Sequence, residues 1–100
     1  MTAARSSHAY DLLHGQFHWH VPQAFNWFDA CCARWARSTP EAVALVCEDD
    51  SGEVATHRYA ELHDAALRAA AALAALGVGR GDRVAIVMPQ RFETAVAHMA

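Results

Sequence analysis

Lysine is missing from this sequence altogether. All eight basic residues are arginine, scattered without a cluster, and the formal net charge is −3. A chain with no basic row has little to offer a phosphate backbone, which argues against nucleic acid as a partner. Cysteine is scarce too. Three residues, two of them adjacent (Cys31 and Cys32), build no disulfide framework, and the odd count fits a reducing compartment. Long apolar runs are absent, and nothing approaches the ~20 residues of a membrane span. Residues 1–7 hold one Arg and small polar side chains with no signal-peptide core behind them, and Asp11 arrives early for a transit peptide. These absences point to a cytoplasmic protein, and the length to one small domain.

What the sequence does have is alanine. Hydrophobic residues make up 54%, but 23 of them are Ala, so the apolar content favours helices and close contacts over a thick core. The organising stretch runs from Tyr59 to Pro89. Leu62, Ala66, Leu73 and Leu76, with Ala69 and Ala70 between, keep helical spacing over Ala60–Leu76. Gly77 stands where such a helix ends in the left-handed conformation, with Val78 placed to pack back on the last turn. A polar turn follows, Gly79-Arg80-Gly81-Asp82-Arg83. Next, Val84-Ala85-Ile86-Val87-Met88 is an unbroken apolar run closed by Pro89, which predicts a strand covered on both faces, as in a parallel sheet.

Gly77, Gly79 and Gly81 invite a phosphate-binding reading that fails on order. A phosphate cradle needs strand, glycines, then a helix N-terminus whose free N–H groups face the anion. Here the glycines follow a helix C-terminus, the negative end of its dipole. The turn is therefore read as structural.

Upstream, 1–7 is expected to be a disordered or weakly held tail. His8 to Val21 mixes aromatic and histidine residues: Tyr10, His14, Phe17, His18, Trp19, His20. The His14/His18 and His18/His20 pairs have metal-ligand spacings, but they need different backbone conformations and no Cys, Asp or Glu follows at ligand spacing. The reading is an extended arm that lays Phe17 and Trp19 on the body with its histidines wet. After Pro22, Asn26 reads as a helix cap with Asp29 three residues on. Trp27, Cys31 and Trp35 form one helical row flanked by Phe28 and Cys32, and the helix should stop near Ser38 because Pro40 disfavours helical geometry at Thr39. The two cysteines point about 100 degrees apart on a helix and read as a buried, inert pair. Ala42–Cys47 predicts a short strand covered on both faces, Glu48–Gly52 a hairpin turn, and Glu53–Arg58 a half-exposed return strand. His57 reads as an ordinary residue of that strand. Finally, Phe92, Ala95, Val96 and Met99 form the apolar stripe of a last helix over Gln90–Ala100. That stripe runs to the last residue without a cap, and the Val84–Met88 strand lacks neighbours on both sides. Together they predict a cut chain.

Read in order, His57-Arg58-Tyr59-Ala60-Glu61-Leu62, the alanine-rich helix, Leu76-Gly77-Val78 and Gly81-Asp82-Arg83-Val84-Ala85-Ile86-Val87-Met88-Pro89 resemble the N-terminal part of the adenylate-forming (AMP-dependent) synthetase/ligase superfamily. Its first shared motif is Leu, Thr or Ser, Tyr, any residue, Glu, Leu. Tyr59, Glu61 and Leu62 match, while His57 and Arg58 depart. Phe17-His18-Trp19, Pro22, Phe25-Asn26 and Arg34-Trp35-Ala36 narrow the resemblance to acetyl- and medium-chain acyl-CoA synthetases. It implies an α/β fold, the N-terminal part of the large adenylate-forming domain: a β-hairpin plus helix–strand–helix of a layered α/β sheet, truncated. Residues 1–24 form the arm and 25–100 an incomplete N-terminal subdomain. It further implies an AMP-forming acid–thiol ligase that joins a small-molecule carboxylate to coenzyme A through an acyl-adenylate, using ATP and Mg²⁺. The family's phosphate-holding donors are a Ser/Thr/Gly/Lys-rich loop, later acidic motifs and a lysine of a mobile domain. With no lysine and no such loop, no catalytic, cofactor-binding or metal residue carries over, and ATP, Mg²⁺ and coenzyme A are not expected to bind this stretch alone. Self-association of the stretch is expected. Two rival readings stand beside this one: a freestanding α/β interaction module and a non-functional truncated relic.

Overall fold

The computed structural model describes residues 3–100. Its elements are helix α1 (Ala3–Gln16), a π-helical turn (Asp29–Ala33) running into α2 (Arg34–Ser38), strands β1 (Val43–Glu48) and β2 (Val54–Arg58), and helices α3 (Tyr59–Ala75) and α4 (Phe92–Met99).

The arm departs from expectation. Met1 and Thr2 lie outside the described residues, but Ala3–Ser7 opens α1 and is not an irregular tail. An unpaired strand would leave its backbone groups without partners, whereas a helix satisfies them locally, and alanine and leucine favour it. Tyr10 and His14, four apart, stack at 5.6 Å. Residues 17–22 have no regular structure. Phe17 and Trp19 do not lie on the body. They pack edge-to-face on each other at 5.0 Å, and Trp19 remains 84% exposed.

The second helical segment starts where the sequence places it. Asn26 Oδ1 accepts the Asp29 N–H at 2.9 Å, capping a turn that begins at Trp27. The segment ends at Ser38, with Thr39 in a non-helical conformation ahead of Pro40. Its buried row is not Trp27, Cys31 and Trp35. Cys32 and Ala33 are buried, with Phe28 and Ala36 half-buried, and both tryptophans stay exposed. In the π-helical turn the Arg34 N–H reaches back five residues to the Asp29 carbonyl. Trp35 instead leans on Tyr59 at 6.3 Å, and the Arg34 guanidinium covers its ring at 4.6 Å.

β1 and β2 form the hairpin foreseen, antiparallel, with Leu45 opposite His57 and Cys47 opposite Ala55, and an irregularity between Val43 and Leu45. Asp49 builds the turn. Its Oδ1 accepts the Ser51 N–H at 2.8 Å, the Ser51 hydroxyl at 2.6 Å and the Glu53 N–H at 3.0 Å, while Gly52 takes φ +82°. β1 is not covered on both faces: Val43 and Val46 are exposed.

α3 follows with Leu62 and Ala66 buried and Ala69, Ala70 and Leu73 half-buried, as its spacing requires, although Leu76 points to solvent. Its end is a Schellman motif. Val78 N–H donates to the Leu73 carbonyl and Gly77 N–H to the Ala74 carbonyl, each at 3.0 Å, with Gly77 at φ +89°.

The expected strand is the main correction. Val84–Met88 has no regular structure, Val87 is 93% exposed, and only Ile86 is even half-buried. Among the described residues the only sheet is the two-stranded β1–β2 pair, not a layered parallel sheet. A strand exists through the ladder it shares with a neighbour, and this segment has no ladder partner among the described residues. α4 then packs on α3, leaving a small core of Cys32, Ala33, Leu62 and Ala66 beside the buried Thr94.

Candidate functional site

The glycine turn is the place to test for a phosphate cradle. The Gly79 N–H donates to Asp82 Oδ2 at 2.7 Å, and the Asp82 N–H donates back to the Gly79 carbonyl at 3.1 Å. Gly81 adopts φ +93° to close the turn. The Gly79 amide that an anion would need is already satisfied by a carboxylate, which also repels it. The turn meets the C-terminal end of α3, whose last carbonyls carry partial negative charge. The Gly79 amide and the helix end are thus turned against an anion.

Histidines and cysteines fare similarly. No group of three or more His, Cys, Asp or Glu converges in metal-binding geometry among the described residues. Cys31, Cys32 and Cys47 are all free thiols. Cys32 is fully buried, and burial pushes its thiol pKa up, with neighbouring Cys31 adding to the rise. A thiol so held is a poor nucleophile. Cys31 is only half-buried, so the pair is not buried as a unit.

Two contacts that the sequence did not announce organise the lower half of the chain. His57 lies flat on Phe92, centroids 4.0 Å apart at 16°, and its Nδ1 donates to Glu61 Oε1 at 2.8 Å. One imidazole thereby ties β2 to both α3 and α4. Thr94 is the buried polar residue of α4, and its hydroxyl donates to the Pro89 carbonyl at 2.7 Å. The same oxygen lies 3.4 Å from the Arg91 N–H, closing the helix start. A threonine three residues after Arg91 is a weak capping signal, the one clue the sequence held. Nearby, the Arg91 guanidinium holds the Glu93 carboxylate below its usual range, at 2.6 and 3.1 Å.

Two open apolar clefts flank this core. One, of about 490 Å³, lies between Phe25–Phe28, α3 and the end of α4. The other, of about 570 Å³, runs between β1, Trp27 and α4. The first is walled by Phe25, Trp27, Phe28, Leu67 and Met99. The second is walled by Trp27, Leu45, Val46 and Met99, with Glu48 and Arg91 at its margin. His98 lines both clefts, and Cys47 and Thr94 also line the second, but the Thr94 hydroxyl and His98 Nδ1 are taken up by backbone carbonyls of Pro89 and Thr94.

No helix among the described residues is long and apolar enough to cross a membrane. No solved structure matches the chain significantly. Curated relatives do. An acetyl-coenzyme A synthetase of Thiobacillus denitrificans is 38% identical over 84 residues, covering 76% of this chain and 13% of the relative. That of Pasteurella multocida is 34% identical over 94 residues, 93% of this chain and 14% of the relative. That of Streptomyces coelicolor is 48% identical over 60 residues, 60% of this chain and 9% of the relative. The chain thus spans only a small part of the length of the relatives it matches. The family model described as "AMP-binding enzyme" matches residues 32–100, from the buried Cys32 through the hairpin, α3 and α4. That match takes in the buried core residues Cys32, Ala33, Leu62, Ala66 and Thr94, and the chain belongs to the AMP-binding enzyme family.

Proposed function

We propose that this stretch is scaffold for an AMP-forming acyl-CoA synthetase, a ligase that activates a small carboxylate with ATP and Mg²⁺ and passes the acyl group to coenzyme A. Residues 1–24 act as its arm, and residues 25–100 belong to the N-terminal subdomain of its adenylate-forming domain. The observation that carries this reading is the family match over residues 32–100, supported by relatives named acetyl-coenzyme A synthetase. The scaffold role is supported by the chemistry of the chain. It has no lysine, the Gly79 amide is occupied by Asp82, and its two larger clefts are walled mainly by apolar side chains. These residues do not fit ATP, Mg²⁺ or coenzyme A, so no step of the reaction is assigned to them. Three free thiols suit the reducing cytoplasm in which we place the enzyme.

A chimera tests the reading. Residues 32–100 replace the matching stretch of the Streptomyces coelicolor relative, and AMP formation is followed with acetate, ATP, Mg²⁺ and coenzyme A. The expected result is a folded enzyme whose AMP formation depends on acetate. A chimera that folds and melts like its parent yet forms no AMP would overturn it.

A further inference from the structure

We draw no further inference here: the strongest candidate, the apolar cleft between β1 and α4 with the exposed Val84–Met88 segment, is an unpartnered face, and nothing in the structure shows what covers it.

Discussion

His57 and Phe92 lie ring on ring, 4.0 Å between centroids, joining the end of the hairpin to the first turn of α4. The imidazole stands where the motif of the resembled superfamily has leucine, and it adds a bond to Glu61. His57→Ala in the chimera is expected to cost about 1 kcal/mol through the lost stack. His57→Leu should recover most of it. Thermal denaturation of the two variants checks this, and equal loss in both would show that the Glu61 bond, not the stacked face, holds the joint.

The Gly77 turn is structural. Its φ of +89° strains any residue with a Cβ, yet an added Cβ would meet nothing within 4 Å. Gly77→Ala should therefore cost on the order of 1 kcal/mol from the backbone alone. Its measurement is the chimera's melting temperature beside its KM for ATP. A selective rise in that KM with unchanged melting would mean the turn touches nucleotide.

Acid should open the hairpin. The Ser51 hydroxyl, then the Glu53 N–H, hold the fully exposed Asp49 carboxylate below its usual pKa, with the Ser51 and Gly52 amides helping. A folded-state pKa below the unfolded one means the stabilisation is complete above the ordinary aspartate range of about pH 4. It is lost as pH falls through the lower folded value. Ser51 and Glu53 amide shifts, followed by NMR from pH 7 downward, should report one transition below that range. Asp49→Asn should flatten it, since the amide oxygen still accepts; an unaltered profile would assign the transition elsewhere.

Residues 1–100 on their own should behave as a loose, self-associating chain. The radius of gyration is 18.9 Å, against about 13 Å for a compact chain of this length. Among the described residues four apolar ones are buried, while Val84, Val87, Met88, Val43 and Val46 lie exposed. Each large apolar side chain left in water forgoes roughly 1.5–3 kcal/mol, and several of them together match a typical domain's ~5–15 kcal/mol of stability. Open strand edges add unpaired backbone groups. Circular dichroism should show helix without a cooperative melt, and sedimentation should show self-association at micromolar concentration. A monodisperse monomer with a sharp two-state transition would contradict this.

Local signals were the legible part of this fold. Asn26 capping, the stop before Pro40, the Gly52 turn and the Leu73–Gly77–Val78 helix end all depend on residues within a few positions of each other, and each stands in the structure. What depends on distant neighbours was not legible. Val84–Met88 has strand composition but no ladder partner, and α1 forms where an extended arm was expected because a helix needs none. The buried row lies one residue on from Trp27–Cys31–Trp35, at Phe28–Cys32–Ala36, and a π-helical turn lies within it. Nothing in Asp29-Ala30-Cys31-Cys32-Ala33 announces that turn. For the candidate site, the order of helix, glycines and apolar run already opposed a phosphate cradle. The Asp82 bond to the Gly79 amide supplies the atomic reason.

The central claim is that this stretch carries architecture and no chemistry. Pyrophosphate release by residues 1–100 alone, with Mg·ATP, coenzyme A and carboxylates from acetate to octanoate, tests it most directly. The account predicts a rate equal to the no-protein blank with every acid. Carboxylate-dependent turnover above that blank would contradict it.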